Sequence, residues 1–155
     1  MTQKEREREV RRRLYKYASY KRDVLQFTED ILYGTPSHDE SGVRGTDISD
    51  PSGRAGTLLA DMPAHLREKQ KWIDAIDDAY DELVACDHGN KRGYAYVCNR
   101  IYGLDGRKKR SVIAVSIECE ISERAMYRRL NIITNIVCYH AAKNGLFQID
   151  TDEYP

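Results

Sequence analysis

The chain has 155 residues, 41% of them hydrophobic, and its 25 Lys/Arg are balanced by 25 Asp/Glu to a formal net charge of zero. That length suits one domain, or a small domain with an appended helical arm, and a core that needs neither disulfides nor a metal. Overall neutrality excludes a uniformly basic nucleic-acid binder, and no stretch of the sequence approaches the length and apolarity of a membrane span.

The charge is segregated along the chain. Residues 1–26 carry nine Lys/Arg against four Asp/Glu, residues 27–87 carry five against fourteen, and residues 88–147 carry eleven against four. A chain with two basic ends around an acidic middle can present a cationic surface to a polyanion while staying neutral as a whole. Cys86, Cys98, Cys119 and Cys138 form no C-x-x-C pair, and the histidines are not spaced as partners for them. A zinc site is therefore not expected, and reduced thiols buried in apolar helical patterns suit a reducing cytoplasm. The first residues contain no apolar signal core, which agrees with an expected cytoplasmic location.

Residues 1–33 read as a charged N-terminal helix, with QKEREREVRRR followed by apolar positions at Leu14, Tyr17, Ala18, Val24, Leu25, Ile31 and Leu32. Tyr15, Tyr17 and Tyr20 alternate with Lys16, Lys21 and Arg22, a pattern that serves phosphate contact or packing of the tyrosines on a core. Residues 34–56 are rich in Gly, Pro, Ser and Asp and read as a linker. Ser52-Gly53-Arg54 and Gly56 lack the spacing of a phosphate-binding loop.

A helical domain is expected over 57–147. Its clearest amphipathic segment is 57–87, where Leu66, Trp72, Ile73, Ile76, Tyr80, Leu83 and Val84 recur at helical steps, extended by Leu58 or Leu59, and Pro63 marks a kink or the true start. The opposite face carries Asp74, Asp77, Asp78, Asp81 and Glu82 with no Glu-x-x-His partner, and reads as solvated surface. His88-Gly89-Asn90 ends this helix, and Asp87-His88 suits capping better than acid–base chemistry. Residues 91–103 read as a short helix with Tyr94, Val97, Cys98 and Ile101 on one side. Strand alternation is weak throughout. The expected class is all-α: an N-terminal helical arm, a C-terminal helix–turn–helix bundle, and an acidic tail at 148–155.

Residues 111–147 hold the pattern that points to a task. A first helix carries Val112, Ile113, Val115 and Ile117, a tight turn falls near Glu120 and Ile121, Ser122 stands as N-cap, and a second helix starts at Glu123. Ser122, Glu123, Arg124, Tyr127, Arg128 and Asn131 lie in its first turns, where a recognition helix meets the major groove. Arg can bridge two acceptors of guanine and Asn two groups of adenine. Met126, Leu130, Ile133, Val137 and Ala141 form the opposite, apolar stripe. Arg107, Lys108, Lys109 and Arg110 precede the pair and are placed for phosphates.

The Asp-Pro-Ser-Gly-Arg-Ala run at 50–55, Trp72-Ile73, Ala75-Ile76, Arg100-Ile101-Tyr102 and Ile121-Ser122-Glu123-Arg124-Ala125-Met126-Tyr127-Arg128-Arg129 together resemble the phage late-gene transcriptional activators of the RinA and ArpU type. The C-terminal part of those proteins is similar to region 4 of bacterial sigma factors. The resemblance spans 45–147 loosely and 92–147 best. It implies a regulator of phage or prophage genes that binds double-stranded DNA, with Ser122, Arg124, Tyr127 and Arg128 at the duplex. The N-terminal helices would then serve homodimerisation or contact with RNA polymerase. Neither an enzyme activity nor a cofactor is expected. A small terminase-like packaging adaptor and a helical protein-interaction module are the alternatives.

Overall fold

A computed structural model describes residues 1–33 and 61–148. The 34–56 linker, Leu58, Leu59 and residues 149–155 of the acidic tail lie outside the described residues. Five α-helices follow one another in the described chain: α1 Gln3–Leu32, α2 Ala64–Asp87, α3 Tyr94–Tyr102, α4 Val112–Glu118 and α5 Glu123–Lys143. The all-α expectation holds, and no described helix is long and apolar enough to cross a membrane.

Each boundary has a local cause. Thr2 and Glu5 form a reciprocal capping box at the start of α1, with Glu5 N–H donating to Thr2 Oγ1 and Thr2 N–H to the Glu5 carboxylate. α2 begins directly after Pro63, whose fixed φ favours a start at that point. It ends with His88 in the left-handed region at φ 48° and Gly89 at φ 82°, so the left-handed cap sits on His88 as well as on the glycine. Asp87 then reaches across this turn: its carboxylate accepts from Tyr94 N–H at 2.7 Å and Ala95 N–H at 3.0 Å, capping α3. Gly93 passes so close that a Cβ there would lie 2.2 Å from the Asp87 carboxylate, so any larger residue would push the capping group aside.

One core joins all five helices. Leu14 and Val10 of α1, Trp72, Ile76 and Leu83 of α2, Val97 and Ile101 of α3, Val115 of α4, and Met126, Ile133 and Val137 of α5 are buried together. The N-terminal helix is thus a wall of the bundle from Val10 to Tyr20. Leu25 and Leu32, two of the apolar positions of this segment, are exposed, and both lie past Val24, which packs against the described core. Tyr17 and Tyr20 are buried and Tyr15 stacks edge-on against Tyr102 with ring centroids 4.8 Å apart, so the tyrosines pack. Val84 is also exposed, and Ala75 and Ala79 take up the close approach on the core side of α2. Of the thiols expected to be buried, Cys98 is, Cys119 and Cys138 are partly covered, and Cys86 is exposed near the C-terminal end of α2.

Candidate nucleic-acid interface

α4 and α5 form a helix–turn–helix with tight internal bonding. Cys119 caps α4, and Glu120 N–H donates to the carbonyl of Ile117 while Ile121 N–H donates to that of Ser116, both at 3.1 Å. This bond pair places Glu120 in the left-handed conformation, φ 56°. Ile121 then packs against the core and pins the turn. The Ser122 hydroxyl accepts from Ala125 N–H at 3.1 Å and starts α5. The same bond pattern closes α5, where Leu146 N–H reaches the carbonyl of Ala141, with Gly145 in the left-handed position.

A cluster of opposite charges fixes α4 to α3. Arg100 donates to the Glu118 carboxylate at 2.9 and 3.2 Å, Tyr96 Oη donates to it at 2.7 Å, and Arg110 lies 2.7 Å from it. These donors pull the Glu118 carboxyl down to about 2, the hydrogen bond from Arg100 contributing most and that from Tyr96 next. Arg92 donates to the Glu118 carbonyl, and Arg129 donates to the Arg92 carbonyl at 3.1 Å with its guanidinium over the Tyr94 ring. Arg129 is therefore committed to holding α5 against the 88–94 loop.

The two faces of α5 separate as the periodicity predicts. Met126, Leu130, Ile133, Val137 and Ala141 are all buried. Arg124, Tyr127, Arg128 and Asn131 are all exposed, Tyr127 by 50%. Among the described residues, Arg124 and Arg128 have no hydrogen-bond or ion-pair partner, so two guanidinium groups one helical turn apart are free to meet a ligand. Ser122 is exposed, and its oxygen is engaged in the cap while its O–H remains able to donate. Asn131 is held: its Oδ1 accepts from Arg11 of α1 at 2.9 Å.

The 107–110 run is exposed but partly engaged within the protein. Arg107 N–H donates to the Asp105 carboxylate at 3.1 Å, and its guanidinium lies 3.6 Å from the same group. Lys109 donates to the Tyr15 carbonyl and lies over the Tyr15 ring. Arg110 pairs with Glu118. Lys108 alone of the four has no such partner among the described residues. Gly103, at φ 64°, turns the chain into this run, and a Cβ there would meet the Arg107 carbonyl at 2.8 Å. The run is thus folded back on α3, where Arg110 N–H donates to the Arg100 carbonyl at 2.9 Å.

Sequence periodicity did not single out Arg11, because nothing in the spacing of α1 tells which of its exposed cations faces α5. Of the four apolar residues that the first helix carries, Val115 is buried, whereas Ile113 and Ile117 are 57% and 71% exposed. A seven-residue helix has room to bury only the Val115 side. On α2, Tyr17 donates to Asp77, and Glu82 is bonded to His140 of α5, so two of the five acids on its outer face bind neighbouring helices. Among the described residues, no group of three or more His, Cys, Asp and Glu side chains could hold a metal ion.

Comparison of the chain with protein-family models, with curated proteins and with solved structures gives no match.

Proposed function

We propose that this chain binds double-stranded DNA sequence-specifically, with α5 as the helix that enters the major groove, and regulates transcription of phage or prophage genes. The observation that carries the reading is that Arg124 and Arg128, beside exposed Tyr127, have no partner among the described residues and lie on the first turns of a helix whose reverse side is packed. A major groove admits one α-helix, and base edges are reached from its N-terminal turns. A guanidinium that has no partner in the free protein loses no internal contact when it takes the two acceptors of guanine. Glu123, exposed in the first turn, suits the amino group of cytosine. The buried stripe supports the reading in a second way, because a packed helix holds its donors in fixed register with the groove. Lys108 and the outer edges of Arg107 suit phosphates on either side. The resemblance of residues 121–128 to late-gene activators supports transcription control as the task.

Gel-shift titration on duplex fragments across a salt series tests this. Binding should weaken along a straight line of log affinity against log salt, with a slope set by the number of phosphates neutralised. No shift at any salt concentration would refute duplex binding and leave the helical pair as part of a protein-interaction module.

A further inference from the structure

Arg11 is the point at which α1 meets the exposed face of α5. Its guanidinium donates to Asn131 Oδ1 at 2.9 Å, and Asn131 is one turn beyond Arg128 on the exposed stripe. Four residues further along α1, the Tyr15 carbonyl receives the ammonium of Lys109. One short stretch of α1 therefore lies between the outward face of α5 and the basic 107–110 run. Arg11 also belongs to a stripe of its own helix. Lys4, Arg8, Arg11, Tyr15 and Arg22 recur at steps of three, four and seven residues and are all exposed. At a rise of about 1.5 Å per residue, Lys4 to Arg22 extends for roughly 27 Å. Three cations of this stripe, Lys4, Arg8 and Arg11, fall close together at the flank of the groove-binding helix, with Arg22 further along the same side, a spacing that suits the successive phosphates of a backbone and not a single base edge.

We propose that α1 is a second element of the DNA interface: Arg11, with Arg8 on the same stripe, contacts phosphates bordering the groove that α5 enters. This rests on the reading of α5 as a groove-binding helix. In the free protein Arg11 is held on Asn131. On the duplex it turns to a phosphate, and the Asn131 amide oxygen is released at the base edges together with its own N–H donors. The cations of this surface are complementary in charge to a duplex. It brings a part of the chain remote in sequence, residues 4–22, to the same ligand as residues 124–131.

Salt-dependent binding of the full chain to a duplex that the wild type binds tests the proposal, with Arg11→Ala, Arg11→Gln, Arg8→Ala and Arg128→Ala compared. Arg11→Gln keeps a donor towards Asn131 and removes the charge. Arg11→Ala and Arg11→Gln should each lower affinity several-fold, equally on matched and unmatched duplexes, and each should reduce the magnitude of the log–log salt slope by about 1. Arg8→Ala should reduce it in the same way. Circular dichroism melts of the variants report that the fold is retained. Arg11→Gln with wild-type affinity and slope would overturn the proposal, leaving Arg11 as a residue that only holds Asn131. Unchanged binding in Arg11→Ala and Arg8→Ala, with binding weakened in Arg128→Ala, would overturn it while sparing the role of α5. A wild-type protein that shifts no duplex would remove both.

Discussion

Arg100 holds Glu118 with two hydrogen bonds, of 2.9 and 3.2 Å, and so ties the last turn of α4 to the helix before it. Glu118 ends the first helix of the helix–turn–helix, and its carboxylate collects Tyr96 and Arg110 besides Arg100. Two donors from α3 and one from the 107–110 run thus meet one carboxylate at the end of α4.

Acid should loosen this contact. The folded-state value of Glu118, about 2, lies below the ordinary 4.5. A carboxylate lowered on folding contributes stability that is complete above its unfolded value and is lost as pH falls towards its folded value. The window is therefore pH 4.5 to 2, with the loss growing as pH falls. Glu118→Gln should cost about 1 kcal/mol at pH 7, the contact being partly open to solvent. Thermal melts of wild type and Glu118→Gln should differ at pH 7 and converge as pH is lowered through that window. A gap that does not change with pH would refute the assignment.

Gly93 and Asp87 should behave as one unit. Gly93→Ala drives a methyl group into the carboxylate that caps α3, with the Cβ 2.2 Å from Asp87 Cγ. Asp87→Ala removes the cap itself. Each should lower stability by about 1–2 kcal/mol. In a double-mutant cycle the second change should cost much less than it does alone, because the clash and the cap involve the same atoms. Additive losses in urea melts would contradict the shared mechanism.

Two turns of the same bond pattern carry different residues at the left-handed position, Glu120 after α4 and Gly145 after α5. A Cβ in that conformation costs about 1 kcal/mol, which glycine avoids. Glu120→Gly should therefore raise the melting temperature by about 2–4 °C. A fall in melting temperature would show that the Glu120 side chain does more for the turn than its backbone angle costs.

The four cysteines should differ in reactivity. Burial pushes Cys98 up to about 12 and Cys138 up to about 11, and desolvation also raises Cys119. Cys86 is exposed. Titration of the native protein with a thiol reagent at pH 8 should modify Cys86 rapidly and Cys98 only after denaturant is added. Rapid labelling of Cys98, read by peptide mass, would contradict the packing of α3.

The division of α5 into two faces was legible in the sequence because a long helix with one packed side imposes a strict three-to-four residue rhythm. Met126, Leu130, Ile133, Val137 and Ala141 follow it without exception. The Ser122 cap was legible for a local reason, a hydroxyl within reach of a free N–H. What escaped depends on where elements end or on contacts distant in sequence. Leu25 and Leu32 are apolar yet lie past the part of α1 that packs on the described core, and Ile113 belongs to a helix too short to bury it. The bonds from Arg11 to Asn131 and from Arg100 to Glu118 join residues 120 and 18 positions apart, and no local spacing announces them. Arg107, Lys109 and Arg110 look alike in the sequence. Their engagement by Asp105, Tyr15 and Glu118 follows from the fold.

The most direct test of the outward face of α5 is selection of bound duplexes from a random-sequence library, run in parallel with wild type, Arg124→Ala and Arg128→Ala. Neither arginine has a hydrogen-bond or ion-pair partner among the described residues, so both variants should melt as the wild type does. The wild type should enrich one sequence. The variants should lose discrimination at particular base positions, with about 1–3 kcal/mol of specific affinity gone in each. Enrichment of the same sequence to the same degree by all three proteins, or no enrichment by the wild type, would contradict base reading by this helix.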